Sequence, residues 1–340
     1  MREFDTYPAT NRIPEHRPDS DPTLAKLRAV AGDLAHAPPD FAPSAYEFTR
    51  GDRIRRYTLD LALDAFHTAA GIRRRLDRLA AATPICDVVI LSVYSKNETG
   101  SRITEAAASL SHTRHRVRFA YGSRDAEADP RLRQETIATG LDGLLFENLN
   151  RLLEIGSGEP PPRWTIVHGS DVGFPRRWLD RFIALCESFD FAIAGPANTR
   201  RSYTSYALTQ RSLRWLVRDT GFVESGPVFA FRQDAAAELL PFPSDLGQGW
   251  GVDFYWPYLA QQRRWRMGII DVTPIEHVGR PPGGSYSAQR AAESGREWLQ
   301  RNPYVPVEIA VQTRAAYRHV PRVIGPRPKP DLVMAPGQPD

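Results

Sequence analysis

The chain has 340 residues, with 44 Lys and Arg against 40 Asp and Glu, 41% hydrophobic and 25% charged residues. That balance suits a globular chain with room for one large α/β domain and extensions, and it excludes collagen-like, coiled-coil and mainly disordered classes. The basic residues are nearly all arginine and are interleaved with acids. They form no single stripe of the kind that a nucleic-acid binder needs.

In chain order, residues 1 to about 50 are rich in Pro, Asp and Arg and read as an irregular arm, with a short helix over 22–34. Residues 57–81 carry helical spacing at Leu59, Leu63, Phe66, Ile72, Leu76 and Leu79, and Gly71 is placed to break that stretch. The Arg73-Arg74-Arg75 run within it, followed by Asp77, reads as a solvated helix face or as a phosphate or nucleic-acid patch. From Ile85 to Val93 the chain is almost continuously apolar, the pattern of a strand buried on both faces. A polar turn over 95–99 leads into a helix with Ile103, Ala107 and Leu110 on one side, then an alternating strand at Arg116–Tyr121 and a helix over 144–153. Trp164–Val167 is a third strand. Pro175 is placed to open a helix carrying Leu179, Phe182, Ile183 and Cys186. Strands at Phe191–Ala194, Pro227–Phe231 and Met267–Val272 follow, with helices over 204–218, 234–240 and 285–300. Beyond about residue 318 the chain is Pro-rich and aperiodic, which predicts a disordered tail.

Strands alternating with helices predict an α/β fold: a mainly parallel, mixed sheet with helices on both faces and an N-terminal helical extension. The expected division is an arm and extension over 1–83, a catalytic domain over 84–300, and a C-terminal extension and tail over 301–340. Cys86 and Cys186 lie in apolar segments, with no CxxC or Cys/His cluster, so a thiolate zinc site is not expected. Two free thiols fit a reducing compartment. No signal-peptide core follows Met1, and no apolar run reaches the roughly 18 residues of a membrane span. The expectation is a cytoplasmic protein without a transmembrane segment.

Ligands of open α/β sheets bind outside the carboxyl ends of the strands, so residues just after each apolar run matter most. Asp171 follows the Trp164–Val167 strand through Gly169-Ser170. A carboxylate there suits a hard cation that bridges substrate phosphates, and taken alone it also reads as a turn aspartate or helix cap. Asp253 lies in Gly247-Gln248-Gly249-Trp250-Gly251-Val252-Asp253, followed by Phe254-Tyr255-Trp256. Glycines allow close backbone approach to a ligand, aromatics offer platforms for sugar CH faces, and the carboxylate can act as general base. It also reads as a helix cap beside core aromatics. His277 ends Thr273-Pro274-Ile275-Glu276-His277, as a metal ligand, a phosphate contact or a structural histidine, and in a strand Glu276 faces the opposite way. Arg280 to Ser287 is a donor-rich loop before a helix, with Arg280, Ser285 and Tyr286 as candidate pyrophosphate donors. GxxxxGK[ST], GxGxxG after a strand, GxSxG and HExxH are all absent.

In this order these stretches resemble the GT-A glycosyltransferases, family 2-like, over about residues 84–300. The strand from Val88, with Tyr94 and Asn97 at its tip, looks like the family's nucleotide-binding strand and loop. Phe146–Leu153 looks like the helix before its metal-binding strand. Where the family shows Asp-x-Asp, this chain has Gly169-Ser170-Asp171, and only the last carboxylate remains. Gly249-Trp250-Gly251-Val252-Asp253 looks like the acidic acceptor motif of inverting members. The resemblance implies a nucleotide-diphosphate sugar donor and a sugar or small-molecule acceptor. It implies Mn²⁺ or Mg²⁺ on Asp171 and His277, and Asp253 as base. Nucleotide contacts fall to Ser92, Tyr94, Asn97, Ser170, Arg280, Ser285 and Tyr286, and acceptor contacts to Trp250 and Gly251. The alternative is a degenerate member that binds a nucleotide sugar or a protein partner without turnover.

Overall fold

The computed structural model describes residues 50–156, 160–277, 279, 286–322 and 332–333, all within one compact unit spanning 38–340. The expected helix over 22–34 lies outside the described residues. Helices α1 (Arg50–Ala69) and α2 (Ile72–Ala82) come first and break at Gly71, whose φ of 68° lies in the left-handed region. There follow β1 (Asp87–Tyr94), α3 (Ile103–Ser111), β2 (Arg116–Ser123), β3 (Thr136–Ala138), α4 (Leu145–Gly156), β4 (Trp164–His168) and β5 (Val172–Gly173). Then come α5 (Trp178–Ser188), β6 (Phe191–Asn198), β7 (Val217–Thr220), β8 (Val228–Arg232), α6 (Gln233–Leu239), α7 (Val252–Arg263) and β9 (Arg266–His277). The last elements are α8 (Ala288–Arg301), α9 (Val307–Ala310), β10 (Thr313–Tyr317) and β11 (Leu332–Val333).

The strands form one sheet in the order β11-β10-β7-β9-β6-β8-β4-β1-β2-β3, with β5 paired to β9 off that path. The pairings set β1, β2, β3, β4, β6, β9 and β10 running one way and β7, β8 and β11 the other. The sheet is therefore mixed and mainly parallel, as the alternation of elements predicts.

Period-two alternation divides the core. From β1, Val88 and Ile90 enter one apolar layer with Leu76, Leu79, Leu110 and Phe182 of α2, α3 and α5. Val89 and Leu91 enter the other, with Phe146, Leu149 and Leu152 of α4 and Trp256 of α7. Both faces of the strand are buried, which is why its sequence reads as a continuous apolar run. Each such side chain contributes roughly 1.5–3 kcal/mol on burial. In α4 the apolar residues recur every three positions, and Glu147 caps the start by accepting the Leu144 N–H at 2.8 Å.

Four expectations change. Pro175 precedes its helix rather than opening it, because Arg177 takes a left-handed φ of 60° and α5 starts at Trp178. The helix expected over 204–218 is replaced by a single 3₁₀ turn at Ala207–Thr209 and strand β7. Tertiary pairing overrides local propensity there: Arg218 forms a bidentate ion pair with Asp271 of β9, both bonds at 2.8 Å and both residues buried. The β9 strand runs on through His277 instead of stopping at Val272. Past residue 300, β10 and β11 extend the sheet, with Leu332–Val333 of the expected tail paired to β10.

Strand order positions the site. From β1 the chain moves outward through β2 and β3, then crosses back along α4 to place β4 on the other side of β1. The reversal between β1 and β4 is a topological switch point, where a crevice opens at the carboxyl ends of the strands.

Candidate active site

Just past the end of β4, Gly169-Ser170-Asp171 turns back into the short strand β5. Its residues Val172 and Gly173 pair antiparallel with His277 and Glu276 at the end of β9. That pairing brings Asp171 Oδ2 to 3.3 Å from His277 Nε2. Both side chains are largely buried. The other imidazole nitrogen, Nδ1, lies 3.3 Å from the Tyr203 carbonyl, which can only accept. In the tautomer with the proton on Nδ1, the Nε2 lone pair would face the carboxylate, whereas a doubly protonated ring would donate to both oxygens. A carboxylate and an imidazole at this range could hold a divalent cation, and an imidazole contacted by a backbone carbonyl is the usual support of a metal ligand. Among the described residues no group of three or more His, Cys, Asp or Glu gathers as a metal cage. Two ligands fit a cation whose remaining positions are filled by water and substrate phosphate.

The surrounding backbone is tied down. The His277 N–H donates to Ser202 Oγ at 2.9 Å, and the Tyr203 N–H donates to the His277 carbonyl at 2.9 Å. The segment 199–211 that supplies these contacts is in turn clamped by α1. The Arg200 N–H donates to Asp60 at 2.8 Å, buried Arg211 pairs with Asp60 at 3.3 Å and Asp64 at 2.7 Å, and Arg53 donates to the Tyr203 hydroxyl at 3.0 Å. Glu276 does face away from His277, toward Arg102 at 2.8 Å and Arg201. Gly279 packs directly over Asp171: a Cβ there would stand 2.8 Å from the Asp171 Cβ and from the Gly100 carbonyl.

Asp253 sits in the first turn of α7, 5% exposed. The Ser225 N–H and hydroxyl donate to its Oδ2 at 3.3 and 3.2 Å, while Oδ1 is buried with no hydrogen-bond partner. Burial pushes the Asp253 carboxyl up to about 7, and the charge of Glu224 adds to the rise. Burial also raises Glu224, which accepts from the Thr209 hydroxyl at 3.0 Å. The Ser225–Pro227 turn reaches the other half of the site as well, because the Gly169 N–H donates to the Pro227 carbonyl at 2.8 Å. Asp171 and Asp253 are thus joined through one short turn. Trp250 donates its indole N–H to the Tyr286 hydroxyl at 2.8 Å.

The residues singled out from sequence distribute as follows. Asp171 and His277 meet, Asp253 is bonded by Ser225, and Trp250 is bonded to Tyr286. Ser170 donates its hydroxyl to Glu98, and Asn97 is exposed in the loop after β1. Gly251, with φ of 94°, allows the turn into α7. Ser92 and Tyr94 are taken up inside the fold. The Ser92 hydroxyl donates to the His168 carbonyl at 2.9 Å, and the Tyr94 hydroxyl bonds Thr136 at 2.8 Å and accepts the Asp129 N–H at 3.1 Å. Arg280 and Ser285 lie outside the described residues. Sequence reasoning missed Glu98, Tyr203, Glu224 and Ser225. Two of these had a signal, the turn Glu224-Ser225-Gly226-Pro227 immediately before an apolar strand. Because β8 runs antiparallel, it is the residues preceding this strand that lie at the site edge.

No family model and no curated protein matches the chain. Among solved structures it is similar to the mannosyltransferase PcManGT from Pyrobaculum calidifontis, in complex with GDP-Man and Mn²⁺, at 16% identity over 74% of this chain and 77% of that one, with a TM-score of 0.46. It is also similar to GalNAc-T7 with UDP, GalNAc and Mn²⁺, at 9% identity over 62% of this chain and 48% of that one, with a TM-score of 0.40. A third is TarS 1-349 of S. aureus in complex with UDP, at 13% identity over 61% and 64%, with a TM-score of 0.38. This chain therefore spans about half of the GalNAc-T7 structure and just under two thirds of the TarS structure.

Proposed function

We propose that the chain is a GT-A type glycosyltransferase that moves a sugar from a nucleotide-diphosphate donor to an acceptor hydroxyl with inversion, aided by Mn²⁺ or Mg²⁺. The observation that carries this reading is the convergence of the Asp171–His277 pair and the buried Asp253 carboxylate on the two sides of the Ser225–Pro227 turn. Asp171 and His277 would hold the cation. A cation bound there supplies positive charge to the leaving diphosphate.

The chain's own residues do the rest. The Tyr203 carbonyl orients the imidazole through Nδ1. Asn97 and the Ser170–Glu98 pair lie at the switch-point crevice, where the nucleotide belongs. Ser225 holds one oxygen of Asp253, and the carboxylate would accept the proton of the acceptor hydroxyl as that hydroxyl oxygen attacks the anomeric carbon. A carboxyl raised to about 7 is basic enough for that task and is still largely ionised in mildly alkaline buffer. Trp250 and Tyr286 form an aromatic wall on the Asp253 side that suits a sugar face.

A second reading, a binder without turnover, is favoured by Gly169 standing where the first carboxylate of Asp-x-Asp is expected. Thermal stability measured against nucleoside diphosphates and nucleotide sugars, each with Mn²⁺, Mg²⁺ or chelator, tests the first reading. A metal-dependent rise with one nucleotide that disappears in Asp171→Ala, together with sugar transfer that disappears in Asp253→Ala, supports it. Binding without transfer favours the second, and no rise with any nucleotide sinks both.

A further inference from the structure

At the far end of α3 from Ser170 lies a second concavity, a basin of 830 Å³. Helix α3 begins beside the site, where the Arg102 N–H donates to the Ser170 carbonyl at 2.7 Å. Its 9 residues carry the chain about 13 Å away at roughly 1.5 Å per residue. The basin is walled by Arg73 of α2, His112 and Arg114 just beyond α3, and Arg176, Arg177 and Arg181 at the start of α5. The carboxylates nearby are already engaged. Asp180, which itself lines the basin, is buried and accepts from the Thr113 hydroxyl and from the Arg114 N–H at 3.0 Å. Asp77 is shared by Arg177 at 3.4 Å and Arg181 at 2.9 Å. Asp64 is shared by Arg73 at 3.3 Å and the buried Arg211 at 2.7 Å. The Arg114 guanidinium donates to the Ala80 and Ala81 carbonyls, which carry no compensating charge. Arg176 is exposed and has no partner among the described residues. Guanidiniums gathered around one concavity repel one another, and a multivalent anion relieves that repulsion. Their planar forks match the oxygens of a phosphate group two at a time.

We propose that this basin binds a phosphate-bearing ligand, at a site separate from the Asp171–His277 pair. The ligand's phosphate sits among Arg73, Arg176 and Arg177, on either a soluble ester or a lipid headgroup. Arginine alone supplies the counter-charge, so binding needs no cation.

The test titrates inorganic pyrophosphate into the full chain in the presence of chelator, followed by calorimetry, with flotation on phosphatidylcholine vesicles made with and without phosphatidic acid. Chelator silences cation-dependent binding at Asp171 and His277, so the outcome is independent of the transferase reading. The expected result is one saturable site whose affinity falls about tenfold or more in Arg176→Glu and in Arg73→Glu, the loss of one charge-assisted contact, and is unchanged in His277→Ala. Vesicle capture that requires both phosphatidic acid and Arg176 supports the lipid source. Pyrophosphate binding without capture supports the soluble ester. The site is refuted if neither probe binds, if binding is indifferent to both arginine substitutions, or if it is lost in His277→Ala.

Discussion

His277 Nε2 lies 3.3 Å from Asp171 Oδ2, across a two-residue strand pairing between segments that are about a hundred residues apart in sequence. The Tyr203 carbonyl lies 3.3 Å from the other imidazole nitrogen, Nδ1. On the proposed reading these two side chains would hold the cation. Asp171→Asn and His277→Ala should each weaken Mn²⁺ binding by about a hundredfold or more, the upper end for groups that tune a metal site. Electron paramagnetic resonance of free Mn²⁺ in a titration measures this directly. Unchanged Mn²⁺ uptake in both variants would exclude the pair as ligands.

Support for the imidazole reaches back to α1. Arg211 is only 1% exposed and is held by Asp60 and Asp64, which fixes the segment bearing Tyr203. Arg211→Met should therefore lower Mn²⁺ affinity by about tenfold although it touches neither Asp171 nor His277. The same Mn²⁺ titration checks it, with circular dichroism to confirm that the sheet is intact. An affinity equal to wild type would show that α1 only caps the sheet.

Asp253 should impose two pH dependences of opposite consequence. Its folded-state carboxyl is raised to about 7, against about 3.9 in an unfolded chain. Between about pH 4 and pH 7 the folded chain keeps a proton that the unfolded chain has released, so stability falls as pH rises through that window. As a base, by contrast, Asp253 gains activity as it ionises, so kcat/KM should rise through about pH 7. Asp253→Asn should flatten the stability slope, melt higher than wild type above pH 7, and abolish transfer. Melting curves across pH and initial rates with donor and acceptor give the two readouts. A variant that melts lower than wild type at alkaline pH would contradict the assignment.

Arg218 and Asp271 form a bidentate pair that is almost wholly withdrawn from solvent, with the Ser212 N–H also donating to Asp271 at 2.8 Å. Removing one partner strands a charge in the core. Asp271→Ala should cost about 3–5 kcal/mol, and Arg218→Met combined with Asp271→Leu markedly less. Denaturant midpoints of the single and double variants test this. Equal losses would mean that packing rather than charge holds β7 to β9.

Gly249 has φ of 83°, and a Cβ placed on it would run into the Phe146 ring. Gly249→Ala should destabilise the chain by about 1–3 kcal/mol through overpacking, with added backbone strain. Because the displaced segment leads straight into Asp253, transfer should fall more than stability does. Comparing kcat with the melting midpoint separates the two effects.

The repeating framework follows from local residue pattern. Strands buried on both faces must be apolar at successive positions, and helices on the sheet must be apolar every three or four, so β1, β4, β6 and β8, and α2 through α5, were legible from local pattern. Asp171, Asp253 and His277 stood out because each breaks or closes an apolar run where a strand ends or a helix begins. Which of these residues meet depends on strand pairing between distant segments. The pairing of β5 with β9 spans only two residues on one side and leaves no periodic trace, yet it alone brings His277 to Asp171. The antiparallel course of β8 put Glu224 and Ser225 at the site from the upstream side of their strand, where a rule built for parallel strands does not look. Ser92 and Tyr94 sit at a strand tip in sequence, but neighbouring segments accept and donate to their hydroxyls inside the fold. Local pattern fixes which residues are buried. Partner choice depends on contacts between distant segments, and those are set only when the sheet closes.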